Sequence, residues 1–103
     1  MNLLFVCSQN RRRSLTAETM FDGVNGNHVR SAGTEKNARI KVTAGLIGWA
    51  DVIYCFEKKH LRRIQDRYAQ ELCGKRVITM NIPDDYEYMD EELQEILQGY
   101  VEE

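Results

Sequence analysis

Apolar positions along the chain follow two periods, one of strands and one of helices. Residues 2–6, NLLFV, form a run of strand length that is apolar from Leu3 onward and breaks into the polar stretch SQNRRRS, as expected of a strand buried on both faces of a parallel sheet. Ala17, Met20, Phe21 and Val24 then recur at helical spacing, and residues 23–27, GVNGN, supply stop and turn chemistry. His28 to Ser31 is a candidate short strand, Ala32-Gly33-Thr34 a turn, and Val42 to Trp49 a short helix weakened by two glycines. DVIYCF, residues 51–56, is the clearest second apolar strand. Leu61, Ile64, Tyr68 and Leu72 mark a helix closed by Gly74, and residues 76–80 a last strand. Leu93, Ile96, Leu97, Tyr100 and Val101 line a final helix capped by Asp90.

Strands alternating with helices imply an α/β fold: a parallel sheet with right-handed crossovers, helices on both faces, and ligands bound outside the carboxyl ends of the strands. The loop after the first strand lies there. With one proline and no Gly/Ser-rich linker, residues 1–103 are expected to form one domain around one core. Fourteen basic and 16 acidic side chains leave a net charge of -2, so no global field draws the chain to nucleic acid or to an anionic membrane, and neither is an expected partner. The apolar run at residues 3–7 is too short for a signal-peptide core or a spanning helix, and no later run is longer, which gives the expectation of a cytoplasmic protein. Cys7, Cys55 and Cys73 are odd in number and lack the paired spacing of a zinc site. That argues against a disulfide framework or a structural metal, and leaves at least one free thiol.

Cys7 and Arg13 are separated by five residues, and Ser14 follows, at a strand-to-helix turn. A short loop entering a helix can point successive backbone N–H groups inward, making an anion nest reinforced by the helix dipole. Phosphate fits such a nest, and a thiol in the same field is favoured as its thiolate, the nucleophilic form. Arg13 can return its planar fork over the loop and hold two phosphoryl oxygens, and Ser14 can donate its hydroxyl to the sulfur. The competing reading is plain: a cysteine at a strand end is usually a small buried hydrophobe, and RRRS is then only a solvated basic run.

LLFVCSQNRRRSLTAETMF resembles the phosphate loop of the low-molecular-weight protein tyrosine phosphatases: a strand, Cys, five residues, Arg-Ser, then a helix. VRSAGT at 29–34 resembles that family's second strand and Ser-Ala-Gly-Thr turn, WADVIYCFEKKHLRRI at 49–64 its third strand and following helix, and IPDDYEYMDEEL at 82–93 its acidic Asp-Pro-Tyr loop. The resemblance implies a four-stranded parallel sheet, Cys7 as nucleophile, Arg13 as phosphate clamp, Ser14 as thiolate stabiliser and Asp84 as general acid. Ser8, Gln9, Asn10, Arg11 and Arg12 complete the substrate-binding loop. It implies no metal and no cofactor, a phosphorylated protein or small phosphomonoester as substrate, and phosphate or another oxyanion in the loop. Gln9-Asn10 stands where the family has Gly-Asn, and Asn10 keeps the residue best able to turn left-handed. Arg12 replaces a second cysteine that can shield the nucleophile as a disulfide. Arg11 stands at the mouth, where a small or aliphatic residue is more usual. The segment between SAGT and the third strand is shortened by about a helix and by an aromatic wall of the cleft.

Cleavage through a thiolate needs an acid for the departing oxygen. Asp84 and Asp85 are the candidates: both follow the last strand, Pro83 restricts their loop, and neighbouring carboxylates disfavour simultaneous ionisation. Alignment with Asp-Pro-Tyr favours Asp84, while acidic residues after a strand are also ordinary turn formers. Tyr86 and Tyr88 either line the cleft, where Tyr86 would bind substrate, or anchor this loop. Lys58, Lys59, Arg62 and Arg63 read as a solvated helix face, and His28 and His60 as isolated. Two other functions compete. A thiol-dependent arsenate reductase would need a resolving thiol, for which Cys55, on the strand expected beside the first, is the candidate. A phosphate or phosphopeptide binding module would use the same nest without turnover.

Overall fold

β1 (Asn2–Cys7) is the strand that the first apolar run predicts, and it lies inside the sheet with Leu3, Leu4, Phe5 and Val6 all under 5% exposed. Burying side chains of this size is worth about 1.5–3 kcal/mol each, which makes β1 the axis of the core. The structure, a computed structural model, describes residues 1–101. After β1 come α1 (Arg13–Phe21), β2 (His28–Gly33), α2 (Ala44–Trp49), β3 (Val52–Cys55), α3 (Lys58–Leu72), β4 (Arg76–Thr79) and α4 (Glu91–Val101). The four strands make one parallel sheet in the order β2-β1-β3-β4.

Side chains alternate across each strand, so the sheet divides the core in two. Leu3, Phe5 and Cys7 face Phe21 of α1 and Leu93 and Leu97 of α4. Leu4, Val6, Ile53 and Cys55 face Ile47 of α2 and Ile64 of α3. Phe5 stacks on Tyr54 of β3, with ring centroids 4.7 Å apart. The chain leaves β1 toward β2 on one side and returns to β3 on the other. The carboxyl ends of β1 and β3 therefore flank a topological switch point, where a doubly wound sheet opens a crevice.

Two of the boundaries that differ from the periodic reading are the ends of α1 and β2. α1 stops at Phe21, because Gly23 adopts φ +81 and turns the chain, so Val24 lies outside the helix and is 39% exposed. Ala32-Gly33 is not a turn but the end of β2, with Gly33 in register with Cys7. The absence of a side chain at Gly33 is required there: a Cβ would stand 2.5 Å from the carbonyl oxygen of Ser8 and 2.7 Å from Cβ of Ala38. α3 begins at Lys58, in keeping with the charged helix face read over Lys58 to Arg63, and takes in His60.

Candidate active site

The loop between β1 and α1 closes on the sulfur of Cys7. Asn10 takes φ 58, the left-handed conformation that asparagine tolerates, and this bend turns its backbone N–H onto Cys7 Sγ at 3.2 Å. The Asn10 side-chain amide donates to Ser14 Oγ at 2.7 Å, and Ser14 Oγ lies 2.9 Å from Cys7 Sγ. Ser14 Oγ, which accepts from Asn10, shares a hydrogen bond with the sulfur. Cys7 Sγ thus sits between the Asn10 N–H and the Ser14 hydroxyl. Arg12, the residue before α1, gives the helix no side-chain cap, which leaves its first N–H groups without a capping partner.

A cavity of about 210 Å³ opens over this sulfur, walled by residues 7–13 and Asp84. The loop is braced from outside by main chain: the N–H groups of Thr34, Glu35 and Arg39 donate to the carbonyls of Cys7, Ser8 and Gln9, each at 2.9 Å. Arg39 also donates through Nε to the Asn10 carbonyl at 3.1 Å. Arg11 and Arg12 stay exposed at the rim, Arg11 donating to the Asn37 carbonyl and Arg12 lying 3.6 Å from Glu87.

Arg13 is 2% exposed, an unusual place for a guanidinium, and it is held by Glu57, which sequence reasoning missed. One Arg13 nitrogen donates both to Glu57 Oε2 at 2.6 Å and to the Ile82 carbonyl at 2.8 Å, and its Nε lies 3.6 Å from Asp84 Oδ1. Burial opposes the charge of Glu57, but the hydrogen bond and charge of Arg13 outweigh it, with Lys59 and His60 on the same side, and hold the carboxyl below its ordinary value. The signal for Glu57 was its position, a carboxylate just past the strand that pairs with β1.

His60, expected to be isolated, is fully buried against the loop. The Glu57 N–H donates to its Nδ1 at 3.0 Å, so in the neutral ring the proton is on Nε2, which donates to Ser8 Oγ at 2.9 Å. Burial and the nearby Arg13 charge, partly opposed by Glu57, push its pKa down to about 4, so the ring is neutral at physiological pH. α3 thereby positions both the clamp, through Glu57, and the loop, through Ser8.

Asp84 borders the cavity and Asp85 lies outside its lining. The loop carrying them is tied to α1: Tyr88 shares a hydrogen bond with Thr19 at 2.9 Å, and the Met89 N–H donates to Thr16 Oγ1 at 2.9 Å. Tyr86, expected at the substrate, stands outside the cavity lining, donates its hydroxyl to Glu92 at 2.7 Å and packs against the core, because α4 brings that carboxylate beneath the loop. The approach of Cys55 to Cys7 expected of a resolving thiol does not occur. Cys55 pairs in register with Val6, one residue before Cys7, so the two side chains leave opposite faces of the sheet. Burial also pushes the Cys55 thiol up to about 12, and Cys73 lies exposed at the far end of α3.

A four-stranded parallel sheet with a Cys-x5-Arg-Ser loop at the carboxyl end of β1 is the architecture of the low-molecular-weight protein tyrosine phosphatases, and the chain has their fold. It is similar to the low molecular weight protein tyrosine phosphatase SP-PTP from Streptococcus pyogenes (TM-score 0.76, 14% identity, 98% of this chain and 91% of that one). It is similar also to the YwlE arginine phosphatase from Geobacillus stearothermophilus (0.75, 18%, 98% and 90%) and to the tyrosine phosphatase Wzb from Escherichia coli K30 in complex with phosphate (0.71, 24%, 94% and 88%). At these identities what is shared is the fold. No protein-family model matches the chain, and no curated protein matches it. Among the described residues no helix is long and apolar enough to cross a membrane.

Proposed function

We propose that this chain is a metal-independent phosphomonoester hydrolase of the protein tyrosine phosphatase kind, working as one domain through a phosphocysteine. The reading rests above all on one observation: the Cys7 sulfur accepts from the Asn10 N–H and shares a hydrogen bond with Ser14 in a cavity walled by the loop, Arg13 and Asp84. In this reading the Cys7 thiolate attacks phosphorus in line, forming the S–P bond as the P–O ester bond breaks. The loop N–H groups and the Arg13 fork take the charge on the equatorial oxygens, and Asp84 gives its proton to the leaving oxygen. Water then attacks the phosphocysteine, Asp84 recovers a proton from it, and the products are phosphate and the restored thiolate. Glu57 and His60 act at one remove, aiming Arg13 and Ser8.

Turnover of an aryl phosphate in the presence of a chelator tests this directly. Cys7→Ser is expected to abolish it, and Asp84→Asn to lower kcat by about 10²-fold, the scale of losing one general acid. Full activity in Cys7→Ser would remove the reading. Phosphotyrosine and phosphoarginine peptides assayed side by side assign the substrate class. Arsenate reduction is disfavoured by the opposed faces of Cys7 and Cys55.

A further inference from the structure

The shortened segment after β2 leaves a second, larger cleft of about 450 Å³ beside the cradle, between residues 33–42 and α3. Its walls carry four cationic side chains, Lys36, Lys41, Arg63 and Arg67, and one carboxylate, Glu35. Arg63 pairs with Glu35 at 3.2 Å, while Lys36, Lys41 and Arg67 are exposed and make no side-chain ion pair or hydrogen bond among the described residues. Three unanswered positive charges therefore converge in one concavity of a chain whose net charge is -2. The Tyr68 hydroxyl donates to the Val42 carbonyl at 3.0 Å and joins the two walls at the floor.

The cleft lies on the outer side of the cradle loop and shares no lining residue with the cavity over Cys7. Thr34 and Glu35, which wall the cleft, are the residues whose N–H groups brace Cys7 and Ser8, and His60, which holds Ser8, lies one turn before Ile64 on its α3 side.

Resting on the activity proposed above, we infer that this cleft docks an acidic stretch of the phosphorylated protein substrate. A nucleic acid fits the features less well. The chain is acidic overall, with a pI near 5.7, and its cations line a cavity of small-ligand size rather than a stripe along one face.

The test uses two synthetic peptides with a central phosphotyrosine, one flanked by glutamates and one by alanines, with p-nitrophenyl phosphate as a substrate too small to reach the cleft. An exposed ion pair changes an equilibrium by up to about fivefold, so several acting together are expected to give the glutamate peptide about a tenfold higher kcat/KM, carried by KM. That preference is expected to fade between about 50 mM and about 0.5 M salt. Lys41→Glu/Arg67→Glu is expected to erase it and leave p-nitrophenyl phosphate turnover unchanged, which also reports that the variant is folded. No preference in the unmodified protein, a preference that survives the double substitution, or stronger competition from a single-stranded oligonucleotide than from the glutamate peptide would overturn the docking site. If p-nitrophenyl phosphate is not turned over at all, the proposed activity fails separately. Fluorescence anisotropy with the same two peptides then decides the cleft by the same comparison of variants.

Discussion

Replacing Glu57 by Gln removes one charge from the pair that holds the clamp while conserving shape. Arg13 is 2% exposed and keeps its hydrogen bond to the Ile82 carbonyl, so the guanidinium stays buried with the charge of its nearest carboxylate gone. Stripping one partner from a fully buried pair costs about 3–5 kcal/mol; with the Glu57 side chain 29% exposed and the carbonyl still accepting, about 2 kcal/mol is expected. The loss depends on pH. Glu57 has a carboxyl held below its ordinary value of 4.5, so its contribution is complete above about pH 4.5 and is lost as pH falls through the lower folded-state value. Urea denaturation should accordingly show the two proteins furthest apart above pH 4.5 and converging in acid. The same change frees the clamp to swing toward Asp84 at 3.6 Å, and a misplacement of about 1 Å can cost about 10²-fold in turnover, so kcat/KM for an aryl phosphate is expected to fall on that scale. A variant with unchanged stability at neutral pH and unchanged kcat/KM would refute the argument that Glu57 aims Arg13.

Three further outcomes are expected. His60 is neutral when folded, with a pKa near 4, while the unfolded chain binds its proton near 6.5; stability should therefore fall by up to about 3 kcal/mol as pH drops from 6.5 to 4, and denaturation of His60→Asn should show that slope reduced. Gly33→Ala places a Cβ 2.5 Å from the Ser8 carbonyl and should cost about 1–3 kcal/mol in thermal denaturation, together with activity. Thiol labelling of the native protein should reach Cys73 well before Cys55, whose burial keeps it protonated, and Cys55→Ala should leave aryl phosphate turnover intact.

What the sequence reveals of this molecule follows from how far apart the interacting residues lie. β1, its loop and the start of α1 are one continuous segment, so period, spacing and loop chemistry point to the same residues. The Arg13–Glu57 and Ser8–His60 contacts join residues 44 and 52 positions apart, and exist only because β3 lies beside β1 and delivers the start of α3 to the loop. Without that pairing, His60 reads as a lone histidine and Glu57 as one more surface acid. Val24 keeps helical spacing with Phe21, but Gly23 ends the helix between them; local geometry overrides periodicity. Cys55 shows the reverse case: once the register of β1 and β3 is known, parity alone sends it to the face opposite Cys7. Tyr86 was ambiguous for a comparable reason, since only the packing of α4 under the acid loop decides which way it turns.

The outer brace of the cradle consists mainly of peptide groups, three N–H donors from Thr34, Glu35 and Arg39 meeting three carbonyls, with the Arg39 side chain added on the Asn10 carbonyl. Mutation can therefore rewrite the side chains of Lys36, Asn37, Ile40 and Lys41 without removing a bond of that brace. If the proposed docking holds, a lineage of such chains is free to exchange one clientele for another in this segment while the loop next door stays as it was.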